Sequence, residues 1–131
     1  MSFLLDTNTL IYFFRGQGNV AARLWQHPPQ QIALPSVVLF ELKVGIAKST
    51  SPEKRTEQLK TLTDVVSILP FGSKEAEWAA RIRVDLEKRG EPIGSYDLLI
   101  AATAVSNHAT LVTHNTKEFS RISQLQLEDW F

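Results

Sequence analysis

The sequence predicts an α/β layer architecture, a mainly parallel sheet joined by right-handed crossovers. Short apolar runs of strand character alternate with helix-forming stretches along the whole chain. Glycine and proline punctuation separates them at Arg15-Gly16-Gln17-Gly18, His27-Pro28-Pro29, Pro35 and Gly90. The 131 residues, 44% hydrophobic and 21% charged, supply one core and leave little room for a second, so residues 1–131 are expected to form one domain.

The elements follow in order. Residues 2 to 6 are a short apolar run ending in Asp6, read as a strand, and Thr7 to Phe14 continue as a helix up to the glycine breaker. Asn19 to Gln26 form a short helix stopped by Pro28, and Gln31 to Leu34 form a second strand that Pro35 ends. Ser36 is expected to cap the buried helix VVLFELKVGIAK, with Glu41 inside its apolar stretch. Ser51 followed by Pro52 opens the helix carrying Leu59 and Leu62, which yields to a third strand over Val65 to Leu69. Ser73 to Arg89 read as an amphipathic helix closed by Gly90. Ser95 is expected to cap the apolar helix DLLIAATAV, whose lack of polar faces implies burial. Thr110 to Thr113 form a fourth strand, His114 to Phe119 a turn or short helix, and Leu125 to Trp130 a last strand.

Composition excludes several functions. Lys plus Arg and Asp plus Glu each total 14, giving zero formal charge, so a nucleic-acid substrate would have to be met by local patches. With no cysteine, disulfides, zinc–thiolate sites and thiol nucleophiles drop out. The N-terminus lacks the basic start and cleavage site of a signal peptide, no segment reaches a membrane span, and a cytoplasmic location is expected. No G-x-S-x-G elbow and no Walker loop is present. Gly16-Gln17-Gly18-Asn19-Val20-Ala21 matches a loose dinucleotide fingerprint, but it would need Leu10 to Phe14 to be a strand, and Pro28 cuts the following helix short.

The informative pattern is where Asp6, Glu41, Asp97 and the Asn115 to Glu118 segment fall. In an open α/β sheet, ligands bind beyond the carboxyl ends of the strands, and Asp6 ends the first strand while Asn115 follows the fourth. Carboxylates converging there would repel unless a hard cation such as Mg²⁺ or Mn²⁺ neutralised them. Each acid also has a structural reading. Asp6, or Thr7 or Asn8 after it, could be a helix N-cap. Asp97, two residues after Ser95, could complement the helix dipole by about 0.3 to 1 kcal/mol. Glu41 must reach solvent, pair with Lys43 or Lys48, or bind metal, because an unpaired buried carboxylate costs several kcal/mol. His27 and His108 sit at helix ends, where they complement the dipole, and His114 has no spaced histidine partner.

FLLDTNTLIYFFRG, PSVVLFELKVGIAKS, GEPIGSYDLLIAATA and LVTHNTKEF, four motifs in order across nearly the whole chain, resemble the PIN-domain family and in particular the VapC toxins of bacterial toxin–antitoxin pairs. The resemblance implies a three-layer α/β/α fold and a Mg²⁺- or Mn²⁺-dependent endoribonuclease acting on structured RNA such as transfer RNA. It further implies a homodimer held inactive by a VapB-type antitoxin, which alone would link it to DNA. By the resemblance Asp6, Glu41 and Asp97 are the metal-binding acids. The family's fourth position falls on Asn115, where many PIN domains have Asp; an amide adds no negative charge, and Glu118, three residues on, is the candidate substitute. Ser95 stands where relatives often have Pro.

The residues themselves fit this chemistry, since carboxylate-held Mg²⁺ can activate a water in line with a phosphodiester. Arg15, Lys43 and Lys48 are candidate contacts to RNA phosphates. Two other readings stand beside it. One is a haloacid-dehalogenase-like phosphatase, whose D-x-D motif Asn8 breaks. The other is a receiver-like acidic binding module, which lacks its Lys around Thr113-His114-Asn115. The apolar first helix with Trp25, Trp78 and Trp130 exceeds what a small core needs, so some of these side chains are expected in interfaces.

Overall fold

Five strands, β1 (Phe3–Leu5), β2 (Ile32–Pro35), β3 (Ser67–Leu69), β4 (Thr110–Val112) and β5 (Gln126–Glu128), form one sheet in the order β3-β2-β1-β4-β5. All four neighbouring pairs are parallel. The structure is a computed structural model describing residues 2–131. Its helices are α1 (Thr7–Arg15), α2 (Val20–Leu24), α3 (Ser36–Ala47), α4 (Pro52–Thr63), α5 (Ser73–Lys88), α6 (Ser95–Ser106) and α7 (Thr116–Phe119), with a 3₁₀ turn at Pro29–Gln31. They flank the sheet as in an α/β/α fold. β1, β2 and β4 are buried at every position, which is why their sequences are continuous apolar runs, whereas the edge strands β3 and β5 are partly exposed.

The strand order reverses direction at β1. From it the chain builds outward through β2 and β3, then crosses to β4 and β5 on the other side. The crevice at a doubly wound sheet's switch point lies between the carboxyl ends of such a central pair, here β1 and β4. Leu5 pairs with Val112 there, and the Asp6 amide donates to the Val112 carbonyl at 3.2 Å.

Two expected caps are displaced by one residue. Pro35, not Ser36, precedes α3, and Gly94, not Ser95, precedes α6. Both residues are extended, at ψ 143° and ψ 150°, so the following serine is already helical and makes no cap bond. Pro35 also closes β2, paired with Leu69, so strand passes into helix with no residue between. The third strand is shorter than its apolar run, since Val65 lies before β3 and is exposed.

The tryptophans divide. Trp130 is buried in the core, stacked on His27 at 5.1 Å and tilted on Phe3 at 5.3 Å. That packing, rather than dipole complementation, occupies His27, and it removes Trp130 from the residues available to an interface. Trp78 is half-buried with the Arg81 guanidinium 5.2 Å from its ring, and Trp25 is 61% exposed. The glycine pair of the dinucleotide-like motif has other work. Gly16 ends α1 in the left-handed region at φ 67°. At Gly18 a Cβ would meet the Phe131 carbonyl oxygen at 2.7 Å.

α5 and α6 pack side by side, and a buried polar contact joins them. Glu75 accepts the Gly72 amide at 3.0 Å and the Ser106 hydroxyl at 2.6 Å. The Ser106 hydroxyl, then the Gly72 amide, hold its carboxyl below the usual glutamate range. Glu75→Ala is expected to cost about 1–3 kcal/mol, because it strips a helix cap and a buried hydroxyl of one partner. A carboxyl lowered in the native state contributes stability above its ordinary value and loses it as pH falls through the lowered one. The gap in Tm between the native protein and Glu75→Ala should therefore be widest at neutral pH and narrow in acid. A pH-independent gap would contradict this.

Candidate functional site

The site is built at the β1/β4 crevice from four elements. Asp6 follows β1 and is buried; its Oδ1 accepts the Thr9 amide at 2.9 Å, so it caps α1. The cap uses Oδ1, and among the described residues Oδ2 accepts no hydrogen bond. The structural and functional readings of Asp6 are therefore compatible. Thr9 fixes the same corner by donating its hydroxyl to the Val112 carbonyl at 3.2 Å.

Glu41 is carried by α3, anchored by buried Val38 and Leu42. It is half-buried and accepts the Thr7 hydroxyl at 2.6 Å. Among the described residues no ion pair joins it to Lys43 or Lys48, so of its expected outcomes partial solvent access holds and pairing with lysine does not. Thr7 is a site residue that sequence reasoning left as a capping alternative. Only its place beside Asp6 could have flagged it.

Asp97 lies in the first turn of α6 and is half-buried. A carboxylate serving only the helix dipole would be held below its normal value. Asp97 is instead pushed up to about 6, first by burial, then by a hydrogen bond shared with Glu118, then by the charges of Glu118, Asp6 and Glu41. Glu118 is thus in hydrogen-bond contact with Asp97, and Asp6 and Glu41 lie near enough for their charges to act on it.

Glu118, from α7, reaches towards the start of α6, where the Gly94 amide donates to its Oε1 at 3.4 Å. Asn115 donates its side-chain amide to Glu118 Oε2 at 3.3 Å, and its backbone amide donates to the Thr113 hydroxyl. The structure thus brings together Asp6, Glu41, Asp97, Asn115 and Glu118. His114, one residue earlier, faces Asp129 at 3.0 Å and stacks on Phe131 at 4.3 Å.

The donor set suits a hard divalent cation: every side chain offers an oxygen, and burial together with the neighbouring carboxylates already raises one carboxyl. Among the described residues no three His, Cys, Asp or Glu side chains stand ready to hold one ion. Mg²⁺ keeps several waters and takes only one or two carboxylates directly, which this looser ring allows.

Arg15, Lys43 and Lys48 are exposed and engage in no ion pair among the described residues. Arg15 lines a cleft of about 140 Å³ with Glu41, Ile11, Phe14 and Ile46. Arg55, which sequence reasoning missed, lines it too.

The PIN domain profile matches residues 3–125. The chain belongs to the PIN-domain family. This PIN domain is 35% identical over 142 residues to Ribonuclease VapC2 of Rickettsia felis, covering 99% of the chain and 98% of that protein. It is 31% identical over 130 residues to the tRNA(fMet)-specific endonuclease VapC of Salmonella typhimurium, at the same coverage. Its fold matches the crystal structure of VapBC2 from Rickettsia felis bound to a DNA fragment from their promoter, with a TM-score of 0.91, 35% identity and full coverage of both chains. These matches put it among the VapC proteins. No helix of this PIN domain is long and apolar enough, among the described residues, to cross a membrane.

Proposed function

We propose that this PIN domain is the toxin of a type II toxin–antitoxin pair, a Mg²⁺- or Mn²⁺-dependent endoribonuclease that cuts structured RNA and so stops translation. The observation that carries the reading is the meeting of Asp6, Glu41, Asp97 and Glu118 at the β1/β4 switch point of a PIN domain. The named ribonuclease and tRNA endonuclease relatives support the reaction class, and make transfer RNA the first substrate to test.

Asp6, Glu41 and Asp97 would hold the metal. When bound, it supplies an activated water and neutralises charge on the phosphodiester oxygens. Asp6 is fixed by its cap bond and Glu41 by Thr7, so both carboxylates are positioned before substrate arrives. Asn115 brings no charge, and Glu118, held by Asn115 and Gly94, restores it next to Asp97. Arg15, Lys43 and Lys48 are free to meet RNA phosphates.

The partner is a VapB-type antitoxin, as in the VapBC complexes that share the fold. The cleft beside Glu41, lined by apolar Ile11, Phe14 and Ile46 and by Arg15 and Arg55, offers it a seat. Exposed Trp25 supports further burial, in a homodimer or under the antitoxin. DNA enters only through the antitoxin, and the working compartment is the cytoplasm.

The test is incubation of purified protein with a transfer RNA mixture and, separately, p-nitrophenyl phosphate. The expected result is discrete RNA fragments that vanish with EDTA and return with Mg²⁺ or Mn²⁺, and no p-nitrophenol. Release of p-nitrophenol with intact RNA would favour the phosphatase reading instead.

A further inference from the structure

Two aromatic rings at the rim of the acidic cluster have no place in the core. Phe40 is 50% exposed and Tyr96 49% exposed, and neither belongs to the core or to the side chains packed against it. Phe40 immediately precedes Glu41 on α3, and Tyr96 immediately precedes Asp97 on α6. The two helices bring the rings into a T-shaped pair, with centroids 5.8 Å apart and planes at 60°. The pair therefore spans the gap between two of the helices that supply the acids.

We infer that Phe40 and Tyr96 form a stacking platform for an unpaired base of the substrate strand beside the phosphodiester that is cut. The inference rests on the RNA-cleaving reading above. Charge favours it. With four carboxylates at this end of the sheet, the neighbouring phosphates of a polyanion are repelled, so affinity close to the cluster has to come from uncharged bases. Stacking on aromatic rings is the interaction that every base offers and that a paired base withholds. Lys43, exposed on α3 one turn beyond Phe40, stands where the next phosphate can be met outside the acidic ring.

Size favours a base over a protein. With Val44, 39% exposed on the following turn, the patch is three side chains. A stable protein interface buries about 800 Å² on each partner, whereas one or two bases need only the ring faces. The platform implies a preference for unpaired nucleotides at the cut, with little reading of their identity.

The test uses the full chain and a short single-stranded RNA containing a mapped cut site, with 2-aminopurine placed beside it. In EDTA, the native protein should quench the 2-aminopurine, and Phe40→Ala and Tyr96→Ala should each abolish most of the quenching. With Mg²⁺, each variant should raise KM about tenfold, within the range found when stacking residues are truncated, with kcat changed little. Phe40→Trp should restore both signals. An abasic nucleotide at the labelled position should erase the difference between native and variant proteins. Unchanged quenching and KM in both alanine variants would overturn the platform while leaving the nuclease reading intact. A KM rise in step with loss of dimer mass by light scattering would also overturn it, assigning the rings to a contact between copies. RNA left uncut by the native protein with metal would overturn both readings together.

Discussion

Asp6→Asn should lower RNA cleavage by about 100-fold or more while leaving the fold intact. The substitution isolates one function of a residue that has two. Asn caps a helix as well as Asp does, so the bond from the Thr9 amide and the geometry of α1 survive. What is lost is a negative charge at the β1/β4 switch point. Asp6→Ala would confound the two, because it also removes the cap, at a cost of about 1 kcal/mol. Cleavage rates and Tm measured on the same preparations separate the cases. Native-like cleavage by Asp6→Asn would remove Asp6 from the metal site.

Asp97→Asn should also abolish cleavage, and should raise the Tm of the metal-free protein. The sign follows from the raised carboxyl. Its native value of about 6 lies above the ordinary 3.8, so between those values the folded protein holds the proton more tightly than the unfolded chain. Stability is therefore lost as pH rises through this window, and the penalty is complete above about 6. Asparagine carries no such penalty. The Tm advantage of Asp97→Asn should be absent near pH 4, open between pH 4 and 6, and persist at pH 7. Mg²⁺ should close the gap by stabilising the native protein alone. A variant less stable than the native protein at pH 7 without metal would show that Asp97 is a structural partner.

The architecture was legible because burial on both faces of a parallel sheet leaves continuous apolar runs in β1, β2 and β4, and because Gly16, Pro28 and Gly90 mark the breaks that follow α1, α2 and α5. The caps were less so. Ser36 and Ser95 carry the right chemistry, but Pro35 and Gly94 already adopt the extended geometry one residue earlier, and chain direction decided against propensity. At the site, Asp6, Glu41 and Asp97 were visible as acids at strand ends or among apolar neighbours, and Glu118 as the nearest acid to an uncharged Asn115. Thr7 and Arg55 were not. A threonine beside an aspartate and an arginine on a solvated helix are ordinary in sequence, and only the packing of α1 against α3 and the opening of the cleft gave them roles. The Phe40–Tyr96 pair was hidden for a similar reason, since the two rings are 56 positions apart and meet only across two helices.

We propose that these carboxylates form one divalent-metal site. Titration of Mn²⁺ into the purified protein, followed by electron paramagnetic resonance of the free ion, tests it without reference to any substrate. Saturable uptake by the native protein that is competed by Mg²⁺, and that is lost in Asp6→Asn, Glu41→Gln and Asp97→Asn alike, is the expected result. Uptake equal in all four proteins, or absent from the native one, would contradict it.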